Sequence, residues 1–198
     1  MKFGTIAGLF ALVCSIALTN VEYRFAGNPR DEMKRSAPVS VGEVAPDFTL
    51  EDIQGNPVTL SATHGKTPTV LVFYRGYWCP FCARQLSELR SLLKADEQVR
   101  LLAVSVDDHE KTRQLIDKIA ADGKGAVNYT MLSDPEHKVI DAYGLHDPAY
   151  DGTKFDGIPH PTVYVIDKNG RVAWAKVETD YKVRPSNADI RAVLEALN

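Results

Sequence analysis

The stretch that decides the fold is VLVFYRGYWCPFC, residues 70–82. It opens with five apolar, β-prone residues, the composition of a strand that is buried on both faces of a sheet. Gly76 breaks this run, and Pro80 suits the first turn of a helix because its missing N–H is not needed there. The stretch therefore predicts a buried strand, a turn, and a helix that begins at the pair Cys79 and Cys82.

The chain beyond this stretch alternates between helix and strand patterns. The predicted elements are a helix with an apolar stripe at Leu86, Leu89, Leu92 and Leu93, a strand at 99–106, a helix at 110–121, a short helix capped by Ser133-Asp134-Pro135 and ending at Gly144, a hairpin of 162–166 and 171–177, and a terminal helix opened by Ser186 and Asp189. This order requires a mixed sheet. We therefore predict an α/β protein with a thioredoxin-like fold, a mixed central sheet flanked by helices on both faces.

The composition is that of an ordinary globular protein, with 44% hydrophobic and 25% charged residues in a chain of 198. The formal net charge is −3. A nucleic-acid-binding domain would usually present a basic face. We therefore predict that no nucleic acid is a partner.

The N-terminus has the layout of an export signal. Lys2 precedes an apolar run over residues 3–18, which is short for a spanning helix of about 20 residues. We predict a signal peptide or an N-terminal membrane anchor at 1–19, which leaves a membrane tether through 3–18 possible. A linker at 20–40 and one thioredoxin-like domain at 41–198 follow. Either route places the domain outside the cytoplasm, in the periplasm or on the extracytoplasmic face of the membrane.

The cysteine pair is the candidate catalytic centre. Cys79 and Cys82 close too short a loop to serve as a structural staple, and the third cysteine, Cys14, lies in the export segment. A thiol at the start of a helix has a lowered pKa, because the helix N-terminus favours negative charge. We predict that Cys79 attacks a substrate and that Cys82 resolves the product as a disulfide. The two sulfurs carry both electrons, so no cofactor is required.

A zinc site is the main alternative for a C-x-x-C pair, and an inert buried pair is another. Zinc needs two further ligands at suitable spacing. No second cysteine pair exists, and the histidines are scattered singly at 64, 109, 137, 146 and 160. We therefore predict no metal.

Four residues are expected to surround the thiols. Trp78 and Pro80 adjoin them in sequence, and Trp78 either forms a docking surface or packs in the core. If the strand after Pro161 lies beside the pair, this proline stands at the entrance, where a cis peptide bond would shape a substrate groove. His160 would then lie near the sulfurs and tune their pKa. The alternative is a rigid turn that carries an exposed histidine.

Four segments carry a family resemblance: APDFTL at 45–50, GNPVTL at 55–60, the stretch 70–82, and PTVYVIDKNG at 161–170. Together they resemble the AhpC/TSA–redoxin branch of the thioredoxin superfamily. The resemblance runs from about Val41 to the C-terminus. It implies the thioredoxin fold and thiol chemistry, and it says much less about the substrate.

That branch contains two kinds of enzyme. Overlaying the peroxiredoxin pattern puts the peroxidatic position at Cys82, the preceding Thr or Ser position at Cys79, and the helper arginine position at Pro161. Two of the three peroxide-binding groups would then be missing. Arg75 would partly compensate, although an exposed surface arginine is its more ordinary interpretation. Proteins of the TlpA and ResA kind are similar in having a W-C-x-x-C site and a cis proline at the position of Pro161.

Three hypotheses follow. The first is a thiol/disulfide oxidoreductase that acts on oxidised protein disulfides outside the cytoplasm and exchanges electrons with a thiol reductant or a membrane electron donor. The second is a peroxiredoxin-like thiol peroxidase that reduces small hydroperoxides. The third is a non-catalytic adaptor with a thioredoxin fold, which would have no need of the intact pair.

Overall fold

The computed structural model describes Met1, residues 34–93 and residues 98–197. Its elements are, in chain order, β1 (Thr49–Asp52), β2 (Pro57–Thr59), a 3-10 turn (Leu60–Thr63), β3 (Thr69–Phe73), α1 (Pro80–Leu89), β4 (Arg100–Ser105), α2 (His109–Ala120), β5 (Thr130–Ser133), α3 (Lys138–Ala142), a 3-10 turn (Pro148–Tyr150), β6 (Thr162–Ile166), β7 (Val172–Val177) and α4 (Asn187–Ala196).

The strands of the described part form one sheet of seven, in the order β2-β1-β5-β4-β3-β6-β7. β3 lies parallel to β4 and antiparallel to β6, with Phe73 opposite Thr162. All five residues of β3 are buried. The C-terminal end of β3 therefore lies beside the start of β6. The turn that leads to the cysteine pair begins at this end of β3.

Alternate residues of β3 serve the two faces of the sheet, as the period of two requires. Val70 and Val72 pack with buried residues of α1, α2 and α4, and Leu71 and Phe73 pack with residues of α3. The predicted mixed sheet with helices on both faces is confirmed.

The element boundaries differ from the sequence-based ones in several places. Three short strands, β1, β2 and β5, were not predicted. Ser133 ends β5 and does not open the short helix; Asp134 caps that helix, since one carboxylate oxygen accepts the N–H groups of Val139 and Ile140, each at 3.0 Å. The helix after the cysteines ends at Leu89, before the predicted positions Leu92 and Leu93.

The predicted export segment at 1–19 lies outside the described residues except for Met1, and most of the predicted linker does too. The part of the linker from Lys34 packs on the domain: Val39 is buried, and the amides of Arg35 and Val39 donate to the carbonyls of Asp141 and Tyr143. The packed domain thus begins before residue 41. Among the described residues, no helix is long and apolar enough to cross a membrane.

Candidate active site

The two cysteines lie where the buried strand β3 passes into α1. Cys79 is the N-cap of that helix, and Pro80 occupies its first turn. The Cys79 Sγ accepts the backbone N–H of Cys82 at 3.3 Å, in the manner of a capping side chain. Both cysteines are free thiols and both are buried, with exposed fractions of 1% and 0%. A sulfur in this place receives the partial positive charge of the helix N-terminus.

The environment drives the pKa values of the two thiols apart. The pKa of Cys79 is lowered to about 6, chiefly by a hydrogen bond from the Cys82 side chain and further by the Cys82 amide and two arginine charges, Arg184 and Arg75, against the opposing effect of burial. The pKa of Cys82 is raised, because its thiol is the donor in that bond and is itself buried. Cys79 is thus the thiolate of the pair at neutral pH, and Cys82 holds the proton.

Arg184 reaches the pair from the segment that precedes α4. Its Nη2 donates to the Sγ of Cys82 at 3.3 Å, and its Nε donates to Gln85 of α1 at 2.8 Å. Ser186 and Asp189 form a capping box at the start of α4, which fixes the chain two residues after Arg184. Sequence reasoning missed this arginine, because no local spacing connects it to the cysteines.

Arg75 is buried, with an exposed fraction of 2%. The expectation of an exposed arginine was therefore wrong. Its guanidinium lies 5.3 Å from the ring centre of Trp78, 4.7 Å from Tyr150 and 4.9 Å from Tyr181. Aromatic faces attract a cation and hold it without neutralising it. The positive charge therefore stays available to the Cys79 thiolate.

Asp107, two residues after the end of β4, anchors the turn between β3 and the cysteines. Its carboxylate accepts the N–H of Tyr77 at 2.7 Å and the hydroxyl of Ser105 at 3.1 Å. Gly76 has φ +143, and a Cβ there would lie 2.8 Å from the Trp78 ring nitrogen and 3.2 Å from Asp107. The turn is thus tight enough to require glycine at this position.

Trp78 is half-buried and packs against Phe155, with ring centres 4.4 Å apart and ring planes tilted by 39°. The two rings line a cavity of about 270 Å3, together with Asp107, Lys111 and Lys154 among others. Trp78 therefore takes part both in packing and in a surface beside the pair, which reconciles the two interpretations drawn from the sequence.

Comparison with known proteins identifies the family to which the chain belongs. The AhpC/TSA family model matches residues 41–175. The chain belongs to the AhpC/TSA family. A putative peroxiredoxin Bcp of Haemophilus influenzae is 31% identical over 163 residues, which cover 81% of this chain and 99% of that protein. A thiol-disulfide oxidoreductase ResA of Geobacillus thermodenitrificans is 30% identical over 136 residues, 68% of this chain and 67% of that protein.

The fold agrees with this membership. The crystal structure of peroxidoxin BcpB from Mycobacterium tuberculosis superposes with a TM-score of 0.65 at 25% identity, covering 81% of this chain and 99% of that one. This member of the AhpC/TSA family is thus a thioredoxin-like, thiol-dependent oxidoreductase. Of the two enzymatic hypotheses from the sequence, the relatives named peroxiredoxin support the peroxidase more strongly than disulfide exchange.

Pro161 lies beside the end of β3, as expected for this AhpC/TSA fold, since Thr162 pairs with Phe73. Every peptide bond in the described part of the chain is trans, so the expected cis bond at Pro161 is not found. The Pro161 carbonyl accepts the N–H of Glu178 at 3.0 Å, which ties the residue into the pairing of β6 with β7. The cis peptide bond that was expected to shape a substrate groove at Pro161 is therefore absent from the described part of the chain.

His160 contacts the loop segment at Leu145 and Asp147. Its Nδ1 lies 3.8 Å from a carboxylate oxygen of Asp147, and its backbone N–H donates to the Leu145 carbonyl at 2.7 Å. The side chains whose charges act on Cys79 are Arg184 and Arg75. We therefore assign the lowering of the thiol pKa first to the Cys82 hydrogen bond and then to the two arginine charges, and not to His160.

The histidines are not all isolated, as their sequence positions had indicated. His137 and His146 lie with ring centres 5.4 Å apart, because α3 and the turn at Gly144 fold the chain back between them. The expectation of no metal rested on their being scattered, and that premise is wrong for this pair.

Proposed function

We propose that this protein is a thiol peroxidase that reduces small hydroperoxides with the Cys79 thiolate and stores the oxidising equivalents as a disulfide between Cys79 and Cys82. The observation that carries the proposal is an almost fully buried thiol at a helix N-terminus, whose pKa is lowered to about 6 by the Cys82 hydrogen bond and further by the charges of Arg184 and Arg75. The names of the Bcp relatives support the same activity.

The first step is attack of the Cys79 sulfur on one peroxide oxygen. The S–O bond forms and the O–O bond breaks, so that Cys79 becomes a sulfenic acid that keeps the proton of the attacked oxygen. The leaving oxygen takes a proton from solvent and departs as water or an alcohol. Negative charge develops on that oxygen, and positively charged donors that are already in place stabilise it without reorganisation. Arg75 and Arg184 supply the positive charge that the peroxiredoxin overlay found missing at Pro161.

The second step forms the disulfide. The Cys82 sulfur attacks the sulfenic acid on Cys79, so that an S–S bond forms, the S–O bond breaks, and the hydroxyl group leaves with the Cys82 proton as water. Cys82 lies one helical turn further into α1, within reach of Cys79. An external thiol or dithiol then returns two electrons and restores both thiols. No prosthetic group is needed.

The burial of the pair favours a small oxidant. An exposed fraction of 1% at Cys79 leaves little surface for a folded protein disulfide to approach, whereas a hydroperoxide needs only a narrow opening. Attack of a thiolate on a protein disulfide requires access along the S–S axis. This argument favours peroxide over disulfide as the first oxidant.

Stopped-flow fluorescence tests the proposal. Reduced protein is mixed with hydrogen peroxide, and the emission of Trp78 beside Cys79 is followed, with Cys79→Ser as the control for the signal of Trp174. We expect a rate far above that of free cysteine. A rate equal to that of free cysteine would refute the peroxidase.

The same experiment assigns the attacking sulfur. We expect Cys82→Ser to react once at an undiminished rate and to accumulate a sulfenic acid that dimedone traps on Cys79. The family overlay instead places the peroxidatic position at Cys82. Rapid reaction of Cys79→Ser, with dimedone on Cys82, would support that assignment.

Disulfide exchange is the second candidate, because the C-x-x-C pair opens a helix and a relative is named thiol-disulfide oxidoreductase ResA. Reduction of a peptide disulfide by the reduced protein is its test. A peptide disulfide that reacts faster than hydrogen peroxide would make exchange the main activity.

A further inference from the structure

Three side chains outside the thiol site meet where α3 ends against the following loop. His137 precedes the helix, Asp141 lies in it, and His146 follows the turn at Gly144. We call these three the histidine cluster. One nitrogen or oxygen of each lies within 4.8 Å of those of the other two. Imidazole and carboxylate are ligands that divalent transition metals favour.

The cluster contains two buried polar atoms whose hydrogen-bonding capacity is unused. The His146 side chain is 9% exposed and that of Asp141 is 12% exposed. The His146 Nδ1 and the Asp141 Oδ1 lie 3.4 Å apart, and within the described part of the chain neither has a hydrogen-bond partner. Buried polar atoms are rarely left in this condition. A cation shared between them, either a metal ion or a proton, would use this capacity.

Asp151 holds the His146 ring by its far nitrogen. Its carboxylate lies 2.5 Å from the His146 Nε2. The His146 Nδ1 is therefore the nitrogen that faces the Asp141 Oδ1 inside the cluster. A cation shared by these two atoms would satisfy both of them.

We propose that the histidine cluster binds one divalent transition-metal ion of the zinc class, with the His146 Nδ1, Asp141 and His137 as ligands and Asp151 holding the His146 ring. At a metal–ligand distance of about 2.1 Å, two donors 3.4 Å apart subtend about 110° at the ion, close to the tetrahedral angle. A carboxylate on the far nitrogen of a metal-bound histidine is the usual outer partner of such a ligand.

His137 provides the approach from solvent. Its side chain is 34% exposed, and its Nδ1 lies 2.9 Å from the second oxygen of Asp141. That contact holds a proton in the metal-free protein, and a metal ion would replace it, since ligands bind in their deprotonated form. Gly157 lies against the ring, where a Cβ would be 2.7 Å from it. The fourth ligand position is left to solvent.

The ion would hold the start of a loop that reaches the thiol site. His146 pairs with Pro159 across the base of this loop, and the loop carries Tyr150 and Phe155. Tyr150 lies against Arg75, and Phe155 lies against Trp78. The role of the metal is therefore structural: it would hold the aromatic residues that enclose Arg75.

A proton is the competing occupant. A doubly protonated His146 between Asp141 and Asp151 would also satisfy the two buried atoms, without any metal. Binding measurements separate the two explanations, because only the metal site saturates with zinc.

The experiment is a calorimetric titration of the full chain, without a histidine tag, with Zn²⁺. The protein carries Cys14→Ser, Cys79→Ser and Cys82→Ser so that no thiol binds the ion. We expect one zinc ion per chain, with a dissociation constant raised at least tenfold by His146→Gln and by Asp141→Asn. We expect Asp151→Asn to raise it by about ten to a hundred times. His109→Gln is the matched control, because His109 lies elsewhere beside Glu51, and it should bind as the parent does.

Circular dichroism of each variant without metal establishes that it is folded. If His146→Gln fails this check, the more exposed His137→Gln takes its place, with the same expected loss. Absence of zinc binding in the parent, or binding that the folded cluster variants leave unchanged, would overturn the proposal. A pH-dependent stability that depends on His146, with no zinc bound, would assign the place to a proton.

Discussion

The guanidinium of Arg184 donates to the sulfur of Cys82 at 3.3 Å across 102 positions of sequence. The same arginine bonds Gln85, so it joins the segment before α4 to two turns of α1. Its charge lies next to a pair of thiols that together lose one proton. A fixed cation there stabilises the thiolate form of the pair, whichever sulfur carries most of the charge.

Replacing Arg184 with glutamine should raise the pKa of Cys79. The charge is lost while a donor of similar reach remains, and removal of a neighbouring cation shifts a thiol pKa upward by about one unit or more. We expect alkylation of Cys79 by iodoacetamide at pH 6 to slow several-fold and to recover at high pH. Arg113→Gln on the exposed face of α2 is the control. An unchanged pH profile would remove Arg184 from the site.

The Cys82 thiol should set the pKa of Cys79 by hydrogen bonding, since that bond is the largest cause of its fall to about 6. Cys82→Ser keeps a donor and should keep a low pKa. Cys82→Ala removes the donor and should move the pKa toward the ordinary value of about 8.5. The thiolate absorbance of each variant, followed against pH, measures the difference. Identical titrations of the two variants would contradict the hydrogen-bond argument.

Two variants of Arg75 should distinguish the effect of its charge from the effect of its contacts with the aromatic rings. Arg75→Met removes the cation and should raise the pKa of Cys79, with a fall in peroxide rate. Arg75→Lys keeps the charge but loses the flat guanidinium that lies against three rings, and the two side chains are not equivalent in such a place. We expect the lysine variant to keep the pKa and to unfold at a lower temperature. Thiol titration and thermal unfolding of both variants test this pattern.

Gly76 should tolerate no side chain, and Gly55 provides a matched comparison. Both have positive φ, so alanine is strained at either position. Only at Gly76 would the new Cβ also meet Trp78 and Asp107, whereas nothing lies within 4 Å at Gly55. We expect Gly76→Ala to cost more than Gly55→Ala in free energy of unfolding and to change the emission of Trp78. Equal costs in urea unfolding would mean that the turn has room to adjust.

The sequence predicted most accurately those features of the fold that depend on neighbouring residues alone. The apolar run of β3, the turn at Gly76 and the helix at Pro80 follow from composition and backbone preference within a dozen residues. The capping box of Ser186 and Asp189 is likewise a local device, and it was found as expected. The short strands β1, β2 and β5 were missed, because three or four residues give too little alternation to recognise.

Of the two active-site cations, Arg75 was named from its place beside the active-site turn, but its burial and the position of Arg184 depend on packing and could not be predicted. Arg75 looks like a surface residue in sequence, and only the approach of Tyr150 and Tyr181 from other segments buries it. Arg184 meets Cys82 only once the segment before α4 lies against α1. The histidines at 137 and 146 follow the same rule, since a turn in the chain and not a helical spacing brings them together.

Asp107 should make the stability of the protein depend on pH, and Asp107→Asn should remove this dependence. Burial raises its pKa from an ordinary 3.8 to about 6, against the hydrogen bonds from Ser105 and Tyr77 that favour the charged form. A carboxyl whose folded pKa is raised contributes stability below pH 4, and this contribution is lost as the pH rises through about 6. This difference in pKa corresponds to a change of about 3 kcal/mol in the free energy of unfolding.

Asp107→Asn has no charge to bury, so its stability relative to the parent should improve as the pH rises from 4 to about 7. The amide oxygen can still accept the Tyr77 N–H, which limits the loss of the turn. Asp117→Asn in α2 is the matched control, and its difference from the parent should stay constant. The measurement is the free energy of unfolding in urea at several pH values. A difference between Asp107→Asn and the parent that does not change over this interval would mean that Asp107 titrates at an ordinary pKa, and that solvent in the neighbouring cavity reaches its carboxylate.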